Sequence, residues 1–195
     1  MHKLRKVIIT SVLFFVLILC ACTNSTGQAN SSSSSAQSLD FPTFGASAEL
    51  WADAIGESLE DGGVYNTFSN EPTISEDESE IFGDIRCLSY PVGENANVML
   101  YENQDMQQCY QFSMTIDWGS IDPASDETLL IGYYTGLLIL AAEQDAVSAE
   151  EIGTELGLLD TYNAYDDTAR TAESEHASYT YTTQNAVTIF NVIAK

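Results

Sequence analysis

The side chains of this 195-residue chain that could do covalent, redox, metal or acid–base chemistry are four cysteines, two histidines and 29 acidic residues. Their spacing restricts what each could do. Cys87 and Cys109 form no C-x-x-C pair, and Arg86 is the only nearby cation able to lower a thiol pKa, so redox catalysis has little support. His176 has Glu173, Glu175 and Asp166 near it in sequence, but no H-E-x-x-H or paired C-x-x-C accompanies it. No stretch satisfies the calcium loop D-x-[DN]-x-[DN]-G. G-x-S-x-G, the Walker loop and the dinucleotide fingerprint are likewise missing. Two carboxylates alone could hydrolyse a glycosidic bond, yet with 29 acids a pair can be found anywhere and carries no information. No catalytic residue, metal ligand or cofactor is therefore assigned.

The other two cysteines, Cys20 and Cys22, end an apolar run. Lys3, Arg5 and Lys6 precede residues 7–19, which are nearly all aliphatic or aromatic and give way to small residues. That is the layout of a secretory signal peptide. Thirteen residues fall short of the roughly 20 that a helix rising about 1.5 Å per residue needs to span a bilayer. Leu19, Cys20, Ala21 and Cys22 read as leucine, any residue, a small residue, cysteine, which resembles the lipobox of bacterial lipoproteins. The resemblance covers residues 1–22 and leaves the rest of the chain without a family. It implies that the Cys22 sulfur takes a diacylglycerol and that the preceding peptide bond is cut, with Leu19 and Ala21 as recognition positions. Cys20 would leave with residues 1–21. Two acyl chains, each worth about 0.8 kcal/mol per buried CH2, hold a protein at a membrane essentially permanently. The implied location is the cell envelope, on the extracytoplasmic side.

Residues 22–38 would then be the lipidated cysteine and a tether. "TNSTGQANSSSSSAQS" has no aliphatic side chain larger than alanine and cannot bury enough surface to offset the entropy of ordering. As a coil it spans about 20 to 24 Å. Cleavage removes Lys3, Arg5 and Lys6 and leaves Arg86, Arg170 and Lys195 as three cations against 29 acids, a balance of −26. Such a surface excludes nucleic acid, whose phosphates need Lys and Arg. It also excludes electrostatic adhesion to anionic lipid, so membrane attachment falls to the diacylglycerol. An envelope protein, a basic peptide or a glycan remain as partners.

The elements that must position any site lie in residues 39–195, the size of one domain. Trp51, Ile55 and Leu59 recur at four-residue spacing and predict a helix over 46–60, ended by Gly62 and Gly63. An acidic loop, 71–80, follows. Strands are expected at 84–90, 97–102 and 109–118; in the last, Tyr110, Phe112, Met114, Ile116 and Trp118 alternate with polar residues, placing Cys109 on the polar side. Residues 126–144 predict a helix apolar almost all round, with Gly132 and Gly136 read as close-packing positions. A capping box of Ser148 and Glu151 predicts a third helix ending near Gly157. Strands close the chain at about 177–182 and 186–193. The order lacks a βαβ rhythm and predicts an α+β fold, an antiparallel sheet of about five strands with helices on one face.

Two features stay open at this level. A disulfide between Cys87 and Cys109 suits the implied compartment and would close a loop of about 23 residues, stabilising by about 3 kcal/mol. Yet in a sequential meander the two would lie two strands apart, about 9.6 Å, which exceeds the reach of a disulfide; either the strand order is not sequential or the thiols are free. Tyr162 and Tyr165 sit in a polar stretch, where they serve as partner contacts or fold back over a helix edge. Together these readings favour a lipid-anchored extracytoplasmic binding or interaction lipoprotein, with a cell-envelope hydrolase using a carboxylate pair as the alternative.

Overall fold

Ser47 starts the first helix: its side chain accepts from the Leu50 N–H and satisfies one of the free donors in the first turn of α1 (Ala48–Asp61). Ala48, Trp51, Ala52, Ile55 and Leu59 fall on one stripe of α1 and are buried. Four strands follow as a meander, β1 (Thr73–Ser79), β2 (Gly83–Val92), β3 (Ala96–Asn103) and β4 (Gln108–Asp117). Then come α2 (Asp126–Glu143), α3 (Ala146–Glu155) and the strands β5 (Thr168–Glu173), β6 (Ala177–Gln184) and β7 (Val187–Ala194). The computed structural model describes residues 41–79, 81–122, 124–158 and 167–195. Leu19, Ala21, Cys22, the tether, Asp166, Tyr162 and Tyr165 lie outside the described residues. None of the described helices is long and apolar enough to cross a membrane.

The strands form one antiparallel sheet in the order β1-β2-β3-β4-β7-β6-β5. The class is α+β, and the sheet has seven strands instead of about five. The two additional strands carry almost no apolar signal. β1 reads "TISEDES" and has no buried residue, and in β5 only Ala172 is buried. Leu88, Val98, Leu100, Phe112, Met114, Tyr179, Phe190 and Val192 line one face of the sheet and share a single core with α1, α2 and α3. Ten of the eighteen residues of α2 are buried. Tyr134 of α2 pins the loop after α1: its hydroxyl accepts from the Thr67 N–H at 2.9 Å and donates to the Tyr65 carbonyl at 2.7 Å.

Two helix details differ from expectation. Gly132 and Gly136 are exposed, and a Cβ built on either meets no atom of the described residues within 4 Å, so neither mediates close packing among them. The N-cap of α3 is Asp145, which accepts from the Ser148 N–H at 2.8 Å, so Ser148 lies inside the first turn and makes no capping box.

Register decides the cysteines. The meander is sequential; Cys87 is paired with Tyr101 and Cys109 with Glu102. Paired residues share a face and successive ones alternate, so the two cysteines point to opposite sides of the sheet. Both are buried free thiols, and the expected bridge is absent because β3 lies between them. A bulge opposite Tyr101 and Glu102 inserts one extra residue in β4. It turns Cys109 from the expected polar side into the helix-side core and leaves Tyr110 on the other side. Burial pushes both thiols above their ordinary pKa, so they stay protonated and inert.

Candidate functional site: the open face of the sheet

Pairing register fixes which side chains share the face away from the helices. β2 and β3 place Cys87, Ser89, Met99 and Tyr101 there, and β4 places Gln111, Ser113 and Thr115. β7 adds Ile189, Asn191 and Ile193, and β6 adds Ser178, Thr180 and Thr182. These positions contain no charge. The acids that reach this face, Asp77, Asp117 and Glu173, stand at its margins on the first strand, at the end of β4 and on the last strand. In a chain with 29 acids, a five-strand field without one is a distinct surface.

Its polar groups form a lattice across three strands. The Asn191 Oδ1 accepts from Ser113 Oγ at 2.6 Å and from Gln111 Nε2 at 3.2 Å, while Asn191 Nδ2 donates to Thr180 Oγ1 at 3.3 Å. Ser113 is buried and its hydroxyl is also within 3.1 Å of the Phe190 carbonyl, so it braces the lattice from beneath, and the half-buried Gln111, Thr180 and Asn191 are the members a ligand could reach. Aromatic rings rim the field at the bulge. Phe82 stacks on Tyr110 at 4.4 Å, Phe41 meets both edge-on, and Tyr101 lies 6.4 Å from Tyr110. Burial pushes the Tyr101 and Tyr110 phenols up to about 12, so the rim too is neutral at physiological pH. At the other end Ile189 is 47% exposed. The arrangement can hydrogen-bond and stack; it offers no activated nucleophile and no acid–base pair.

The buried carboxylates are occupied elsewhere. Glu102 receives Arg86 Nε at 3.0 Å and Nη2 at 2.6 Å, and its second oxygen accepts from the Ala48 N–H at 2.7 Å. Glu143 accepts from Ser174 Oγ at 2.6 Å and from the Tyr179 hydroxyl. Two strands, β4 and β7, separate these acids, so they do not converge on one cleft. A shallow groove between α1 and α2, lined by Trp51, Ile55, Ser58 and Leu137 among others, contains no titratable side chain. His176 is exposed in the turn between β5 and β6, and Glu173 is taken by Lys195 at 2.6 Å. Among the described residues no three His, Cys, Asp or Glu side chains gather as a metal site. Among the described residues the cations Arg86, Arg170 and Lys195 are each engaged, Arg170 donating to the Leu156 carbonyl at 3.0 Å.

Sequence reading did not single out the open face. Its signal lay in the residues that alternate with the core, Gln111, Ser113 and Thr115 on one strand and Ser178, Thr180 and Thr182 on another. They read only as the wet side of separate strands until β7 brings the strands together. Comparison with protein-family models, with curated proteins and with solved structures finds no match for this chain.

Proposed function

We propose that the protein is a lipid-anchored, extracytoplasmic binding module of the cell envelope that holds a neutral, hydroxyl-rich ligand, a glycan strand, against the open face of its sheet. The observation that carries this reading is the charge-free lattice of Asn191, Thr180 and Gln111, braced by the buried Ser113 beside the Tyr101 rim, on a chain that is otherwise strongly acidic. Sugars bring donors, acceptors and apolar ring faces without charge, which matches amide and hydroxyl groups next to an aromatic edge. The lipobox-like residues ending in Cys22 supply the anchor. An acidic body whose described cations Arg86, Arg170 and Lys195 are all engaged gives no electrostatic route to an anionic bilayer.

The test uses the full chain in detergent micelles, titrated calorimetrically with neutral envelope polysaccharide. Binding that hardly changes with salt is expected, and Asn191→Ala and Tyr101→Ala should each weaken it about tenfold, the loss from one or two hydrogen bonds or a stacking contact. Cys22→Ser should abolish acyl labelling without altering that affinity. Unchanged affinity in both face variants would remove the reading.

A further inference from the structure

β1 gives the core nothing. Six of its seven residues are exposed and the seventh is half-buried, and none belongs to the core that unites sheet and helices. Among the described residues it pairs with β2 alone, which leaves its outer edge of alternate backbone N–H and C=O groups without a strand partner there. Edge strands are usually kept from pairing by shortness, proline, lysine or a bulge. β1 uses none of these: its register with β2 is unbroken from Thr73↔Ser89 to Ser79↔Gly83, and it contains neither Pro nor Lys.

What guards it is charge. Glu76, Asp77 and Glu78 are consecutive, so acids project on both sides of the strand. Antiparallel pairing with a second copy, centred on Glu76 or Asp77, sets acid against acid, which destabilises. The cation opposite Glu76 in the sheet, Arg86, is drawn away by Glu102 and Glu49, so among the described residues Glu76 and Glu78 have no ion pair, while Asp77 Oδ1 accepts from the Glu78 N–H at 2.8 Å. The guard that repels a copy therefore attracts a strand of opposite sign. Ile74, 55% exposed on the same side as Glu76 and Glu78, adds an apolar contact two positions along.

We propose that β1 is a docking edge for a basic, extended polypeptide segment, which adds antiparallel as an eighth strand with Lys or Arg opposite Glu76, Asp77 and Glu78. Main-chain hydrogen bonds supply the affinity and the acids select the partner. This edge and its ligand are independent of the open face.

The experiment titrates the full chain in micelles with a valine-rich peptide carrying three consecutive lysines, with its backbone N-methylated counterpart, and with the same peptide carrying glutamate in place of lysine, while following amide hydrogen exchange. The lysine peptide should bind, weaken as salt rises, and slow exchange at alternate residues of β1; the other two should not bind. The triple variant Glu76→Lys, Asp77→Lys, Glu78→Lys changes only exposed residues. It should lose at least about tenfold affinity for the lysine peptide and gain affinity for the glutamate peptide. The proposal is overturned by absence of binding at low salt, by equal binding of the N-methylated peptide, by binding that leaves β1 unprotected, by indifference to charge reversal, or by dimers formed through β1.

Discussion

Glu102 has a side chain only 3% exposed, and its two oxygens are satisfied by Arg86 on β2 and by the first N–H of α1. The residue thus joins strand, strand and helix at one point, with its negative charge at the positive end of the helix dipole. Removing one partner of a buried pair leaves the other desolvated and unpaired. Arg86→Ala is expected to destabilise the fold by about 3 kcal/mol, seen as a lower urea midpoint with an unchanged slope. Glu49→Ala, which removes the exposed member of the same cluster, should cost less than about 1 kcal/mol. None of this was visible in the sequence, where Glu102 is one acid among 29 and Arg86 matters only as the neighbour of a thiol. A buried ion pair depends on register, and register is not local. The cysteines teach the same lesson: their two-strand separation followed from a meander, but their opposite facing needed the bulge at Tyr110.

At the scale of elements, α1 was legible because Trp51, Ile55 and Leu59 repeat at helical spacing, and α2 because a long run is apolar almost all round. β6 and β7 were expected within two residues of their observed bounds. β1 and β5 were not, since a strand that buries nothing leaves no period to read. The helix glycines were misread for a related reason: G-x-x-x-G in an apolar helix suggests close approach, but here both glycines face solvent. Space around them gives a direct expectation. Gly132→Ala and Gly136→Ala should each stabilise the protein by about 0.8 kcal/mol through helix propensity, raising the melting temperature by about 2 to 3 °C per substitution. Calorimetry of the two variants checks this; a fall in melting temperature would show that the positions are needed for packing.

Across the whole molecule, tyrosine burial links stability to alkaline pH. Burial is the first cause that pushes Tyr90, Tyr101, Tyr110 and Tyr134 up to about 12, and burial followed by the bond to Glu143 also raises Tyr179. In the unfolded chain these phenols ionise near 10. A folded pKa above the unfolded one means the stabilisation is complete below pH of about 10 and is lost as pH rises from there through about 12. Helical ellipticity should collapse in that window in the same step in which buried tyrosinate absorbance appears; ionisation well before unfolding would contradict the burial.

The first described residues bear on how the molecule carries load. Phe41 wedges against Phe82 and Tyr110 on one side of the sheet, while Phe44 stacks on Phe112 at 4.4 Å on the other. Between them the Phe44 N–H donates to the Cys109 carbonyl at 2.8 Å, and the Cys109 N–H donates to the Ala46 carbonyl at 2.7 Å. Tension arriving through the chain ahead of residue 41 meets this clasp before it reaches α1, and β4, the strand it grips, is flanked by β3 and β7. A pull from that end is shared by the middle of the sheet instead of peeling a helix from its surface.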